Sequence, residues 1–260
     1  MGGTEMARPI RAEDVEERFV RSHLAKHAAA FFDFDGTLVK GHMIADFPAH
    51  LAEAGLFGAT EALAVRKCMI SFRAGKITYR KVAEELPALY ARGVKGRRVK
   101  DIEREGERFV EGRMSSVFKY AKPLVALMKR SGRVAIGLSG SPIEPVMALG
   151  TRLGLDVSFG TILQKRDGTY AGRVRHNMIL METKTAFFRR ISGVLKLEKE
   201  RCFGFGDTEQ DESFLGKVGH PVSLNPSPEL RAIALRNGWP IFTLQDDVIG
   251  KVRKLLRDSG

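Results

Sequence analysis

The sequence predicts an α/β fold: a parallel sheet with helices on both faces and an all-helical segment inserted after the first strand. Three observations carry this. Short apolar runs alternate with helical stretches at the spacing of strand–helix–strand units. Two of those runs end in acidic clusters, Asp33-Phe34-Asp35 and Asp207 to Asp211, and such clusters belong at the carboxyl ends of strands in open α/β sheets. Between Gly41 and Phe118 no strand pattern appears, only apolar residues at helical intervals.

Taken in order, residues 13–27 carry Val15, Phe19, Val20 and Leu24 among charges, which predicts an amphipathic leading helix. Ala28 to Phe32 is a buried strand, and Gly36 marks a sharp exit from it. Side chains alternate across a strand, so Asp33 and Asp35 share a side while Phe34 turns into packing. In the insertion, four stripes predict helices: Met43, Ile44, Phe47 and Leu51; Leu63, Arg66, Met69 and Ile70; Tyr79, Val82, Leu86 and Tyr90; Val99, Ile102, Phe109 and Val110. Pro48 and Pro87 are expected to kink or interrupt their helices.

After Pro123 a helix with Leu124, Leu127 and Met128 leads to a strand, Val134 to Leu138. Ser141, Pro142 and Glu144 then read as a capping box with a helix-start proline. Two short strands, Val157–Phe159 and Thr161–Gln164, precede a turn at Asp167-Gly168 and a return from Thr169, a small hairpin. Thr183 to Leu195 is helical, Arg201 to Phe205 is a strand, and Pro221–Leu224 and Pro240–Leu244 are further strands. Ser227-Pro228-Glu229 starts another helix, and a basic helix closes the chain.

Composition narrows the classes. With 43% hydrophobic and 28% charged residues, the 260-residue chain is globular. No apolar run of about 18 residues occurs, so no membrane span is expected. The N-terminal stretch contains acids and lacks a long apolar core, unlike a secretory signal. Met6 stands where a myristoylation site needs Ser or Thr. Two cysteines, Cys68 and Cys202, make neither a disulfide framework nor a metal pattern and suit a cytoplasmic location. The net charge of +12 attracts anions. The basic residues are spread over helix faces, so nucleic acid is not the expected partner.

Chemistry gathers at four places. Asp33 and Asp35 repel one another unless a proton or a hard divalent cation intervenes. Ser139 and Gly140 follow a strand at a helix start, a ready anion site, while Ser141 is accounted for by capping. Lys184 stands near the start of its helix, where a cation opposes the dipole. Gly206-Asp207-Thr208-Glu209-Gln210-Asp211 sets a second acidic cluster at another strand's end.

In this order, D-F-D-G-T, a strand ending in Ser139, then Lys184, then G-D-x-x-x-D resemble the four motifs of the haloacid dehalogenase superfamily. The L-S-G-S-P stretch, the D-G-T-Y-A-G hairpin and N-G-W-P near the end are similar to its phosphoserine-phosphatase-like branch, subfamily IB. The resemblance implies a Rossmann-like core at 28–41 and 119–260, a helical cap at 42–118 and a packing helix at 1–27. It implies a phosphatase for a small phosphorylated metabolite, with Asp33 as nucleophile and Asp35 as general acid and base. Mg²⁺ would be held by Asp33, the Asp35 carbonyl and Asp207; Ser139, Gly140 and Lys184 would hold the phosphoryl group, supported by Thr37 and Asp211.

Where that branch places a Glu for a substrate ammonium, nine residues after the nucleophile, this chain has His42. Where it places an Arg for the substrate carboxylate, this chain has Leu86, with Arg73 and Arg80 as substitutes and Tyr79 nearby. Gln210 stands at a position often held by Asn. Three alternatives stay open: phosphoserine phosphatase proper, a phosphotransferase with the same intermediate, and an anion- or RNA-binding protein on a catalytically inactive fold. The oligomeric state is left open.

Overall fold

The structure, a computed structural model, describes residues 27–258. The leading helix expected at 13–27 therefore lies outside the described residues except for His27. Among the described residues the sheet has seven strands: β1 (Ala29–Phe32), β2 (Val134–Pro142), β3 (Val157–Arg166), β4 (Thr169–His176), β5 (Phe203–Gly206), β6 (His220–Leu224) and β7 (Ile241–Phe242). Their order is β4-β3-β2-β1-β5-β6-β7, parallel throughout except for the antiparallel β3–β4 hairpin. The first described strand, β1, lies in the middle and the sheet grows outward on both sides, so the end of β1 is the point where the connections diverge, the usual place for a ligand crevice.

Strand alternation sends β1 residues to two separate cores. Phe32 stacks on Phe205 at 5.0 Å between ring centres, on the face that also buries Leu124. Phe31 packs 4.8 Å from Phe188 on the opposite face, beside Phe214 and Leu230. Burying one such ring contributes roughly 1.5–3 kcal/mol, which fixes the register of this short strand. Phe34 is fully buried, as its alternation from the two aspartates requires.

Between β1 and β2 run α1 (Met43–Glu53), α2 (Ala59–Arg73), α3 (Tyr79–Gly93) and α4 (Val99–Gly112). Their buried side chains, Phe47, Leu86, Tyr90 and Phe109 among them, join the same cluster as Phe32 and Leu124. Pro48 and Pro87 lie inside α1 and α3, yet neither helix is interrupted. Both prolines are buried, and the surrounding packing outweighs the loss of one backbone hydrogen bond each. On α2 the expected stripe fails: Leu63 and Ile70 are 53% and 56% exposed, and Val65 and Cys68 are buried instead. Apolar spacing alone left two faces available there, and the packing of α2 against its neighbours chose the other.

The rest of the helices are α5 (Ala121–Arg130), α6 (Ile143–Leu153), α7 (Met181–Val194), α8 (Glu212–Leu215), α9 (Pro228–Asn237) and α10 (Val248–Asp258). Ser227 caps α9 by accepting from the Leu230 N–H at 3.1 Å, as its sequence signature expects. The two short strands expected around 157–164 are one strand, β3, running straight through Gly160. A Cβ at Gly160 would lie 2.7 Å from the Ser141 carbonyl oxygen, so glycine lets β3 press against the end of β2. No helix among the described residues is long and apolar enough to cross a membrane.

Candidate active site

The ends of β1, β2 and β5 and the first turn of α7 meet at one point. Asp33 and Asp35 leave β1, Asp207 leaves β5, and Lys184 comes from α7. The Lys184 ammonium donates to Asp33 Oδ1 at 2.9 Å and to Asp211 Oδ1 at 2.7 Å, and the side chain is buried. Carboxylate oxygens of Asp33, Asp207 and Asp211 all lie within 4.8 Å of one another.

Each carboxylate is oriented by a local cause. Asp211 is a cap: its Oδ2 accepts from the N–H groups of Asp207 and Thr208, both at 3.1 Å, which holds the turn after β5. That leaves Oδ1 for the lysine. Asp207 Oδ1 accepts from the Thr37 hydroxyl at 2.9 Å, and the Thr37 carbonyl accepts from the Tyr120 hydroxyl at 2.8 Å. Gly36 makes the approach feasible. It adopts a φ of +90°, and a Cβ there would sit 2.0 Å from Asp207 Oδ2.

Asp35 takes a different set of partners. Its Oδ1 accepts from the Met43 N–H at 3.0 Å and its Oδ2 from the Ser141 hydroxyl at 2.5 Å. The expected capping box at Ser141 is therefore absent. Pro142 stands at the N-cap position of α6, which has no side-chain cap, because the Ser141 hydroxyl is spent on Asp35. Glu144 is likewise engaged elsewhere, by the hydroxyls of Tyr90 at 2.9 Å and Tyr170 at 2.6 Å. Ser139 is buried, and its hydroxyl oxygen accepts from the Ser141 N–H at 3.1 Å. The Gly140 carbonyl is tied back by the Thr161 hydroxyl at 2.7 Å.

The electrostatics are unbalanced. Three carboxylates share one ammonium. Burial, and next the neighbouring Asp211, push Asp33 up to about 8, against the pull of Lys184. Burial and the charges of Asp33 and Asp211 raise Asp207 well above the usual carboxylate range. Burial works against the Lys184 ammonium, yet Asp211 and Asp33 together hold its proton more tightly than usual. A cluster of this kind wants one more positive charge. The carboxylate oxygens of Asp33 and Asp207, with Asp211 beside them tied to Lys184, suit a hard divalent cation.

A cavity of about 140 Å³ opens over these groups. Asp33, Asp35, Gly140, Ser141, Thr208 and Gln210 face it from the strand ends and the turns that follow them, Lys184 from α7, and His42 and Tyr79 from the inserted segment. Arg73 and Arg80 do not line this cavity. Arg73 is exposed beside a separate groove between α1 and α2, and Arg80 is exposed and pairs with Glu84 at 3.2 Å. Two features escaped sequence reasoning: the Ser141 hydrogen bond to Asp35, and the apolar roof of the cavity. The pair S-G-S was the available signal for the first, since a single cap needs only one hydroxyl.

Known proteins share this plan. A family model described as haloacid dehalogenase-like hydrolase matches residues 30–215. A putative hydrolase of Mycobacterium leprae is 28% identical over 216 residues, spanning 82% of this chain and 72% of that protein. A protein of Mycobacterium tuberculosis named phosphoserine phosphatase is also 28% identical over 216 residues, spanning 82% of this chain and 70% of that one. Among solved structures, a Bordetella pertussis protein of unknown function superposes with a TM-score of 0.70 at 22% identity, covering 84% of this chain and 99% of that one. A substrate-bound phosphoserine phosphatase superposes with a TM-score of 0.61 at 20% identity, covering 88% of this chain and 98% of that one, and so shares the fold. With more than half its length matched by the family model, the chain belongs to the haloacid dehalogenase-like hydrolases.

Proposed function

We propose that this hydrolase is a Mg²⁺-dependent phosphatase acting on a small phosphomonoester through a phosphoryl group carried by Asp33. The observation that carries the reading is the buried arrangement in which Lys184 bridges Asp33 and Asp211 while Asp207 closes the same cluster.

With Asp33 Oδ1 engaged by Lys184, Oδ2 is the oxygen that attacks phosphorus. The bond from phosphorus to the leaving oxygen breaks, and Asp35 gives its proton to that oxygen. Burial raises the Asp35 carboxyl, opposed by its bonds from Ser141 and Met43, and a carboxyl so raised can hold the proton that a general acid needs. In the second half, Asp35 takes a proton from water. The water oxygen attacks phosphorus, the bond to Asp33 breaks, and inorganic phosphate leaves. Asp33, Asp207 and the Asp35 carbonyl would hold Mg²⁺, which would offset the repulsion between carboxylate and phosphate. Ser139, Gly140 and Lys184 would bind the equatorial phosphoryl oxygens, with Thr37 and Asp211 holding Asp207 and Lys184 in place.

In this reading α1 to α4 form the cap that excludes water from the reacting groups, and the core comprises 28–41 and 119–260. The cytoplasm is the setting it implies, since Cys68 and Cys202 are free and buried. Hydrolysis of an aryl phosphate should require Mg²⁺, stop with EDTA, and fall by several orders of magnitude in Asp33→Asn with the fold retained by circular dichroism. Near wild-type turnover by that variant would remove Asp33 from the chemistry.

A further inference from the structure

The relatives named phosphoserine phosphatase make an amino-acid ester the obvious candidate, and the walls of the cavity argue against it. Its roof is built by Ile44, Met69, Phe72, Tyr79, Val82 and Leu86, from α1, α2 and α3. Met178 and Ile179 add to the wall from the core side. Leu86 and Val82 are buried, so they form a fixed surface rather than a flexible fringe.

The charged partners a zwitterion needs are missing from that surface. No arginine lines the cavity among the described residues. The basic side chains there are His42 and Lys184, and Lys184 already bridges two carboxylates. The acidic side chains there are Asp33 and Asp35, both at the reacting end. An ammonium and a carboxylate placed against Phe72 and Leu86 would lose their hydration without replacement, which a buried charge tolerates poorly. Size narrows the class further. At about 140 Å³ the cavity is smaller than the roughly 300–1,000 Å³ typical of sites for drug-sized ligands.

We infer that the leaving group is a small apolar alcohol, aryl or branched alkyl, seated under Phe72, Met69 and Leu86. This rests on the phosphatase reading above and specifies its substrate class. The polar lining residues Ser141, Thr208 and Gln210 come from the core side with the reacting groups, while the roof is apolar apart from the Tyr79 hydroxyl and His42 at its edge, so selectivity for the alcohol comes from burial of apolar surface and from rejection of charge. One methylene in such a pocket is worth about 10-fold or more in kcat/KM.

The test uses the full chain with Mg²⁺ and four esters: phenyl phosphate, 3-methylbutyl phosphate, methyl phosphate and O-phospho-L-serine. The inference expects kcat/KM for the phenyl and methylbutyl esters to exceed that for phosphoserine by at least about 10-fold. It expects Phe72→Ala to lower kcat/KM for phenyl phosphate by about 10-fold, and for methyl phosphate by clearly less, because a methyl group does not reach the roof. If Phe72→Ala does not fold, Met69→Gln places a polar group in the same half-buried wall and should compress the same preference. Phosphoserine turned over as well as the apolar esters would overturn the inference while leaving the phosphatase reading standing. So would a preference unchanged in both wall variants. Turnover of none of the four esters would remove the phosphatase reading, and this inference with it.

Discussion

Gly36 shows how closely the residue-scale argument is constrained. Its backbone lies in the left-handed region, and a β-carbon would meet the Asp207 carboxylate. Gly36→Ala should therefore displace Asp207 by a sizeable fraction of an ångström and lower kcat on the order of 10²-fold. Steady-state rates in saturating Mg²⁺ measure this, and an alanine variant within a factor of about two of wild type would contradict it. The sequence announced this glycine, because a turn after an apolar run ending in two acids needs one. It did not announce the choice made by Ser141. A serine before a helix has two uses for its hydroxyl, a cap or a distant acceptor. Asp35, far away in the chain, supplied the acceptor at 2.5 Å. Such pairings depend on which strand ends become neighbours, and local spacing does not encode that.

At the scale of elements, the inserted helices are held to the core by a buried knot. Tyr90 of α3 and Tyr170 of β4 both donate to Glu144 of α6, and all three side chains are buried. Removing one phenol hydroxyl leaves a buried carboxylate short of a partner. Tyr90→Phe and Tyr170→Phe should each destabilise the fold by roughly 1–3 kcal/mol, measurable by urea unfolding. The double variant should cost less than the sum if burial then drives Glu144 to its neutral form. A neutral effect of both single variants would show that the knot is dispensable. Helix and strand identity was readable throughout this region from apolar period alone. The buried face of α2 was not, because Leu63 and Ile70 satisfy the period as well as Val65 and Cys68 do, and only neighbours decide. The places of Arg73 and Arg80 were unreadable for the same reason: both fall on exposed turns of the helices, away from the cavity.

At the scale of the whole molecule, the sheet order brings four distant segments to one point and leaves them short of positive charge. The consequence is a pH dependence. Burial, then Asp211, raise Asp33 from 3.8 to about 8, and Asp207 moves in the same direction. With raised values in the folded state, the native protein binds more protons than the unfolded chain between those limits. Stability without a divalent cation should therefore fall as pH rises from about 4 to about 8. Mg²⁺ added at pH 8 should recover it, and more than it does at pH 5, where protons compete for the same oxygens. Melting curves at both pH values test this. A midpoint that is flat or rises across the window, with no response to Mg²⁺, would mean that the cluster needs no counter-charge. The parallel sheet and the acidic strand ends could be read from sequence, because both are written in consecutive residues.

The central claim is that Asp33 itself carries the phosphoryl group. Rapid acid quench of the enzyme turning over phenyl phosphate with Mg²⁺, followed by peptide mass analysis, tests it most directly. The account predicts one phosphoryl group on the peptide containing Asp33, absent from Asp33→Asn. A phosphoryl group found on another residue during turnover would contradict it.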